Sequence, residues 1–168
     1  MDIVEVTTIE NIERELQQLL IDAVGSGASI GFIAPMDPAE ADAYWQDVDV
    51  GLADGSRKMY VALRDGNVIG SVQLSLCGKA NGRHRAEVEK LMVHTRERGQ
   101  GIARQLMAYM EQQAVQLQRQ LLVLDTRLGD TASFLYRKLD YIEAGQIPGF
   151  ALSSAGELDA TVYFYKQL

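Results

Sequence analysis

The stretch RERGQGIAR, residues 96–104, places two glycines two positions apart between a strand-like segment and an amphipathic one. A helix N-terminus presents unpaired backbone N–H groups and partial positive charge, and glycine lets an anion approach that backbone closely. The pattern therefore predicts a phosphate-binding turn at the start of a helix. An ordinary tight turn is the alternative, because Gly-x-Gly spacing alone has little specificity.

The residues beside the glycines narrow the class of phosphate site. A Walker loop needs Gly-Lys followed by Ser or Thr, whereas this turn continues Gly101-Ile102-Ala103. A dinucleotide fingerprint needs a third glycine where Arg104 stands, although Asp125 lies roughly where a ribose-binding acid is expected. The dinucleotide site stays a weaker alternative, because too few strand–helix units follow the turn to build a doubly wound sheet.

Hydrophobic periodicity indicates the elements that position this turn. Helical spacing follows it, and also marks residues 9–24 and a segment that opens with the cap pattern Asp37-Pro38-Ala39-Glu40. A turn at residues 65–67 separates two alternating segments and predicts a hairpin. Asp130 is a candidate cap for a short helix, and residues 147–160 are expected to form a loop. Further strand candidates are AEVEKLMV, LLVLDT, YIEA and TVYFYK.

Length and composition limit the fold and the partners. With 168 residues, 47% of them hydrophobic, the chain fits one domain over residues 1–168. The element order predicts an α/β (α+β mixed) fold in which helices cover a mixed sheet. A net charge of −7 disfavours nucleic acid and anionic lipid as partners and favours a cationic one. One cysteine and no long apolar run predict a cytoplasmic protein without membrane association, and the two histidines lack metal-site spacing.

Several motifs resemble the GNAT N-acetyltransferases. Arg96-x-x-Gly99-x-Gly101-Ile102-Ala103 after EVEKLMV is similar to motif A of that family, and SFLYRKLDY to a second motif, with Asp140 in place of a usual glycine and Gly129 in place of a common asparagine. SGASIGF, QLSLCGKANG and IPGF further resemble the tabtoxin-resistance acetyltransferases. The resemblance implies the GNAT fold: a central mixed, mostly antiparallel twisted sheet, splayed in the middle, with helices on both faces.

The resemblance also implies acetyl-CoA as co-substrate, without a metal. In this family the backbone of the glycine turn holds the pyrophosphate, and the preceding strand bonds the pantetheine arm. The residues implied for cofactor binding are Leu91, Met92, Val93, Arg98, Gly99, Gln100, Gly101, Ile102 and Ala103.

Transfer to an amine needs a base, because an aliphatic amine of pKa about 10.4 is neutral in only roughly one molecule per thousand at pH 7.4. Glu87 lies six residues before Val93, where several GNAT members carry a glutamate base, and Asp125 ends the next strand candidate. We expect both carboxylates to deprotonate the acceptor or hold a water that does so. Glu89 points to the same face by strand alternation and remains an alternative, as does a structural role for any strand acid.

Tyr136 stands at the tyrosine position of the second motif. A phenol of pKa about 10 stays protonated at neutral pH and can donate a proton to the departing thiolate. The catalytic residues predicted are therefore Glu87 and Tyr136, which the resemblance implies, and Asp125, from its place at the end of the neighbouring strand candidate. Packing of the Tyr136 ring in the core is the alternative for that residue.

The function predicted is acetyl-CoA-dependent acetylation of a primary amine on a small amino-acid-like molecule, such as a toxin or antibiotic, by a monomer or homodimer. One alternative acceptor is a protein N-terminus or lysine. Another alternative is a sensor that binds acetyl-CoA without catalysis. The two carboxylates and the tyrosine at the expected positions argue against a sensor.

Overall fold

The computed structural model describes residues 1–168 and contains one seven-stranded sheet. In chain order the elements are β1 (Asp2–Val6), α1 (Glu13–Gly25), α2 (Pro38–Asp54), β2 (Arg57–Arg64), β3 (Asn67–Leu76), β4 (Arg85–Val93), a 3-10 helix (Thr95–Glu97), α3 (Ile102–Gln116), β5 (Leu121–Arg127), α4 (Ala132–Lys138), β6 (Ile142–Leu152) and β7 (Leu158–Gln167). The strand order is β1-β2-β3-β4-β5-β7-β6, and only β4 and β5 are parallel. The predicted mixed, mostly antiparallel sheet is confirmed.

The sheet splits between its two parallel strands. Residues 85–87 of β4 pair with residues 121–123 of β5, and the pairing stops there. The rest of β4, residues 88–93, leads away from β5 toward the glycine turn. This split is the splay that the family resemblance implies, and it opens a gap in the middle of the sheet.

Two hydrophobic clusters cover the two faces of the sheet. The cluster under α1 and α2 includes Met59 and Val61 of β2, and the cluster under α3 and α4 includes the alternate residues Tyr60 and Ala62. Successive strand residues point to opposite faces, so β2 is buried on both sides and its sequence is a continuous apolar run. Each fully buried leucine, such as Leu16 of α1, contributes about 1.5–3 kcal/mol to folding.

The start of α2 follows its sequence signal. The Asp37 carboxylate accepts a hydrogen bond from the Ala39 N–H at 2.7 Å, and Pro38 is the first helical residue. Glu40 lies in the first turn without the reciprocal capping-box bond, so Asp37 alone caps the helix. No helix of the chain combines the length and hydropathy that a membrane crossing requires.

Two other helix starts were predicted wrongly. Helix α1 begins at Glu13 and not at residue 9, because Asn11 has a φ of 70° and interrupts the helical backbone. Helix α4 follows Thr131, and the predicted cap Asp130 instead accepts a hydrogen bond from Arg127 Nη2 at 2.8 Å. A carboxylate beside a guanidinium gains a charge-assisted hydrogen bond, which here replaces the cap.

The two edges of the sheet also differ from the prediction. The five-residue strand β1, which had not been predicted, pairs antiparallel with β2 at one edge. At the other edge β6 extends to Leu152, so much of the predicted loop over residues 147–160 is strand. The pairing of β6 with β7 shifts register between Ile147 and Ala151. Such a bulge interrupts the alternation on which strand prediction depends.

Candidate active site

The turn before α3 presents a row of free backbone donors. None of the N–H groups of residues 99–104 donates to a protein acceptor, and the first hydrogen bond of α3 runs from the Gln105 N–H to the Gly101 carbonyl. Gly99 and Gly101 have φ values of 76° and 79°, which glycine adopts without the strain of a Cβ. The positive end of the 15-residue helix α3 reinforces the donors. This turn can therefore bind a phosphate or pyrophosphate.

The Arg98 side chain ties the turn to its neighbours. Its Nε donates to the Val93 carbonyl at 3.0 Å, and its Nη2 donates to Ser26 Oγ at 2.9 Å. These bonds join the end of β4 and the residue that follows α1 to the turn. The guanidinium thus holds the backbone donors in place and adds positive charge beside them.

A first cleft of about 450 Å³ runs from this turn along the end of β4 to the start of α4. Of the nine residues predicted to bind the cofactor, Gln100 alone lies outside its lining, and the Gln100 side-chain oxygen accepts a hydrogen bond from Arg64 at 3.0 Å. The other eight line the cleft: Leu91, Met92, Val93, Arg98, Gly99, Gly101, Ile102 and Ala103. Ala23, Ser26 and Gly27 line it too, at the end of α1, where no local sequence signal indicated a site.

A second cleft, of about 480 Å³, continues from the first through the gap in the sheet. It is lined by residues 87–91 of β4, residues 125–127 of β5, the loop after α1, and parts of β6 and β7. The two clefts adjoin where their linings overlap. The shared residues are Ala28, Leu91, Arg127, Asp130, Ala132 and Tyr136.

Glu87 and Asp125 both line the second cleft, one from each side of the gap. The Thr161 hydroxyl donates to Asp125 Oδ2 at 2.6 Å and so orients that carboxylate. Partial burial raises the pKa of the Glu87 carboxyl, the negative charges of Glu89 and Asp125 raise it further, and the positive charge of Lys90 opposes the rise in part. In its ionised form a carboxylate with a raised pKa is a stronger proton acceptor than an ordinary one.

Glu89 shares this cleft but has a cation beside it. Arg57 Nη1 lies 3.9 Å from Glu89 Oε2 and donates to Gln73 Oε1 at 2.6 Å. The Tyr44 hydroxyl donates to the same Gln73 oxygen at 3.1 Å. Glu89 is therefore part of a polar network with a compensating charge, whereas no cation lies within 4.0 Å of the Glu87 carboxylate.

Tyr136 combines a packed ring with access to both clefts. Its ring centroid lies 5.9 Å from those of Tyr141 and Phe164, and its side chain lines both clefts. Burial raises the pKa of the phenol, and the charges of Asp125 and Asp130 raise it further. The hydroxyl is therefore protonated at neutral pH and is able to donate.

A bulge in β4 adds a residue that the sequence did not indicate. Glu89 pairs with Gln73 and Met92 with Ser71, so two residues of β4 stand opposite one of β3. Lys90, within this bulge, has a φ of 51°. Strict alternation would place Lys90 on the face opposite Glu89, but the bulge brings both to the second cleft.

The model of the acetyltransferase (GNAT) family matches residues 19–141, which is most of the chain. The chain belongs to the GNAT acetyltransferase family. This acetyltransferase is an enzyme that uses acetyl-CoA as its acetyl donor.

Solved structures share the whole fold of this GNAT acetyltransferase. A ribosomal-protein-alanine N-acetyltransferase from Brucella melitensis is 24% identical, with a TM-score of 0.85 over 100% of both chains. A GNAT superfamily phosphinothricin acetyltransferase from Sinorhizobium meliloti, in complex with acetyl-CoA, is 19% identical, with a TM-score of 0.81 over 100% of this chain and 89% of that one. A Salmonella typhimurium protein with its cofactor acetyl-CoA is 17% identical, with a TM-score of 0.79 over 100% of this chain and 95% of that one.

Proposed function

We propose that this enzyme acetylates a primary amine of a small, amino-acid-like molecule bound in the second cleft. The observation that carries this proposal is the charge of that cleft, whose lining holds five carboxylates and two cations. An acidic cleft concentrates cationic amines, and its volume of about 480 Å³ suits a small molecule. The carboxylates are Glu87, Glu89, Asp125, Asp130 and Asp159, and the cations are Lys90 and Arg127.

In the proposed complex, acetyl-CoA occupies the first cleft. Its pyrophosphate accepts hydrogen bonds from the free N–H groups of residues 99–104. Its pantetheine arm follows Leu91, Met92 and Val93, which lie beyond the β4–β5 pairing. The thioester then lies near Tyr136, where the first cleft meets the second.

The proposed reaction is direct transfer. Glu87 and Asp125 remove a proton from the ammonium, directly or through water, and the neutral nitrogen attacks the thioester carbonyl carbon. A C–N bond forms, the C–S bond breaks with its electron pair leaving on sulfur, and Tyr136 protonates that sulfur. Of the three ammonium protons, one stays on the amide nitrogen, one balances the thiol of coenzyme A, and one passes to solvent.

The names of the structural neighbours include both classes of acceptor that the sequence left open. One neighbour is named for phosphinothricin and another for an alanine of a ribosomal protein. The resemblance to tabtoxin-resistance enzymes and the acidic second cleft favour the small acceptor. Inactivation of a toxin or antibiotic is the proposed role of the reaction.

A panel of acceptors tests this function through release of coenzyme A, measured with a thiol reagent. We expect turnover with one or more free amino acids and none with peptides that carry an N-terminal alanine. A variant with Glu87→Gln and Asp125→Asn together is the control for non-enzymatic hydrolysis. Turnover with peptides, together with none for any amino acid, would show that the enzyme is a protein acetyltransferase.

A further inference from the structure

The Lys90 ammonium faces the second cleft without an anionic partner. Its Nζ has no carboxylate oxygen within 4.0 Å, whereas Arg127, the other cation of this cleft, lies 2.8 Å from Asp130 and 3.6 Å from Asp159. Burial lowers the pKa of Lys90, and the more distant charges of the cleft carboxylates oppose that effect. The ammonium is thus partly desolvated and has hydrogen-bond donors to offer.

Two aromatic rings and a glycine lie near Lys90 Nζ, and none of them carries a negative charge. Nζ lies 5.8 Å from the ring centroid of Phe32 and 5.6 Å from that of Tyr44. Gly31 lies beside Nζ as well, since a Cβ added at Gly31 would lie 3.7 Å from it, an ordinary contact distance. Aromatic faces attract a cation by about 0.5–2 kcal/mol but accept no strong hydrogen bond from it. The rings therefore hold the ammonium in position and leave its donors free.

The backbone conformation of Lys90 also indicates a functional role. A φ of 51° is costly for a residue with a side chain, and such strain concentrates at sites where function requires it. Without the bulge, Lys90 would face the opposite side of the sheet from Glu87. One chemical consequence of the bulge is therefore that a cation enters the cleft that holds the proposed bases.

We propose that Lys90 binds an anionic group of the acceptor, a carboxylate, while Glu87 and Asp125 receive its amine. This inference rests on the proposed function and specifies the substrate class: molecules that carry both an amine and an anionic group. The acceptor carboxylate would supply the charge-assisted hydrogen bond that Lys90 lacks in the protein. Lys90 is then a specificity-determining residue, because an acceptor without the anion loses this contact and keeps its contacts to the carboxylates.

Matched pairs of acceptors separate this role from a structural one. Each amino acid that the enzyme acetylates is compared with its carboxamide, which keeps the amine and lacks the negative charge, and kcat/KM is measured for both. The ratio of the two values is compared between variants, so differences in amine pKa cancel. We expect Lys90→Met to lower the acid-to-amide ratio by about 10–100-fold, mainly through KM, as for a lost charged hydrogen bond. Lys90→Arg should restore part of it.

Lys58→Met is the control, since Lys58 lies on β2 in an ion pair with Glu5 at 2.9 Å and is not part of the cleft lining. It should leave the ratio unchanged. Thermal unfolding checks that each variant is folded, and Lys90→Gln replaces Lys90→Met if the latter is not. The role of Lys90 is overturned if a folded Lys90 variant keeps the wild-type acid-to-amide ratio of kcat/KM, or if the wild type prefers the amides. Either result leaves the proposed function standing. Turnover of peptides, with none of any acid or amide, overturns the proposed function and this inference together.

Discussion

At the scale of single residues, Glu87 and Glu89 differ by a neighbouring cation. Arg57 lies within 4.0 Å of Glu89, whereas no cation lies that close to Glu87. Burial and the charges of Glu89 and Asp125 raise the pKa of Glu87, and the more distant Lys90 opposes this only in part. A base must be ionised at the working pH and still bind a proton strongly, and a raised pKa increases that binding. This favours Glu87 over Glu89 as a partner of Asp125 in deprotonating the acceptor.

Loss of either proposed base should lower the rate in a pH-dependent way. We expect Glu87→Gln and Asp125→Asn to reduce kcat/KM by about 10²–10⁴-fold at neutral pH, with partial recovery at high pH as free amine becomes more abundant. In the wild type, kcat/KM should fall as pH falls through the raised pKa of Glu87, because the protonated carboxyl accepts no proton. pH–rate profiles of folded variants that bind acetyl-CoA test this. Wild-type rates for both variants at every pH would contradict the assignment.

Tyr136→Phe should show a different pH dependence. The variant keeps the ring that packs near Tyr141 and Phe164 and loses only the hydroxyl. High pH supplies neutral amine but no proton for the departing sulfur, so activity relative to wild type should not recover. The same profiles measure it. If relative activity returns to the wild-type level at high pH, Tyr136 is not the proton donor.

At the scale of elements, β4 joins the two halves of the site. One part of it pairs with β5 and carries Glu87, and the part after the bulge lines the first cleft and leads into the glycine turn. The turn contributes backbone donors, and its glycines are needed for their φ values, since an added Cβ at Gly99 or Gly101 would meet no atom within 4 Å. Both glycines line the first cleft, so a side chain at either position would lie beside the proposed pyrophosphate site.

Gly101→Asn should therefore weaken acetyl-CoA binding by at least about tenfold, or 1.4 kcal/mol, measured by calorimetry. Asparagine tolerates the left-handed backbone better than other side chains, so loss of binding is not confused with strain. Gly66→Asn is the matched control: Gly66 has a φ of 80°, also meets nothing within 4 Å, and lies in the hairpin turn. Unchanged affinity in folded Gly101→Asn would contradict pyrophosphate binding at this turn.

At the scale of the whole molecule, the first cleft exists only when distant segments are packed together. Its lining comes from the end of α1, the end of β4, the glycine turn and the start of α4. A ligand that bridges these segments binds the folded chain and not the unfolded one, so it must stabilise the fold. That residues 1–168 form a single domain, and that the protein is a monomer or homodimer, are still predictions.

Acetyl-CoA should raise the melting temperature of the protein. At 100 times its Kd, a ligand stabilises the native state by about 2.7 kcal/mol. For a chain of this size each kcal/mol corresponds to about 2–4 °C, so we expect a rise of roughly 5–11 °C in a thermal scan. The melting temperature of Gly101→Asn should rise less than that of the wild type at the same acetyl-CoA concentration. A saturated wild-type protein with no shift would contradict this linkage.

The sequence by itself determined the features whose interactions lie within a few residues. The hairpin turn at residues 65–67, the cap of α2 and the glycine turn before α3 all depend on local backbone preference, which residue types report directly. The resemblance of its motifs to the GNAT family likewise implied the cofactor, and eight of the nine residues named for it line the first cleft. These features could be predicted because the interactions that determine them are local and need no contact with a distant part of the chain.

Only the tertiary structure decided how the charges of the second cleft are arranged. The bulge that turns Lys90 toward the cleft shows in the pairing of β4 with β3, and the cation beside Glu89 comes from Arg57, 32 residues earlier in the chain. The end of α1 reaches the first cleft through packing on the sheet. Alternation assumes an uninterrupted strand and periodicity reports one element at a time. Register and charge compensation depend instead on contacts between elements, which exist only once the chain is folded.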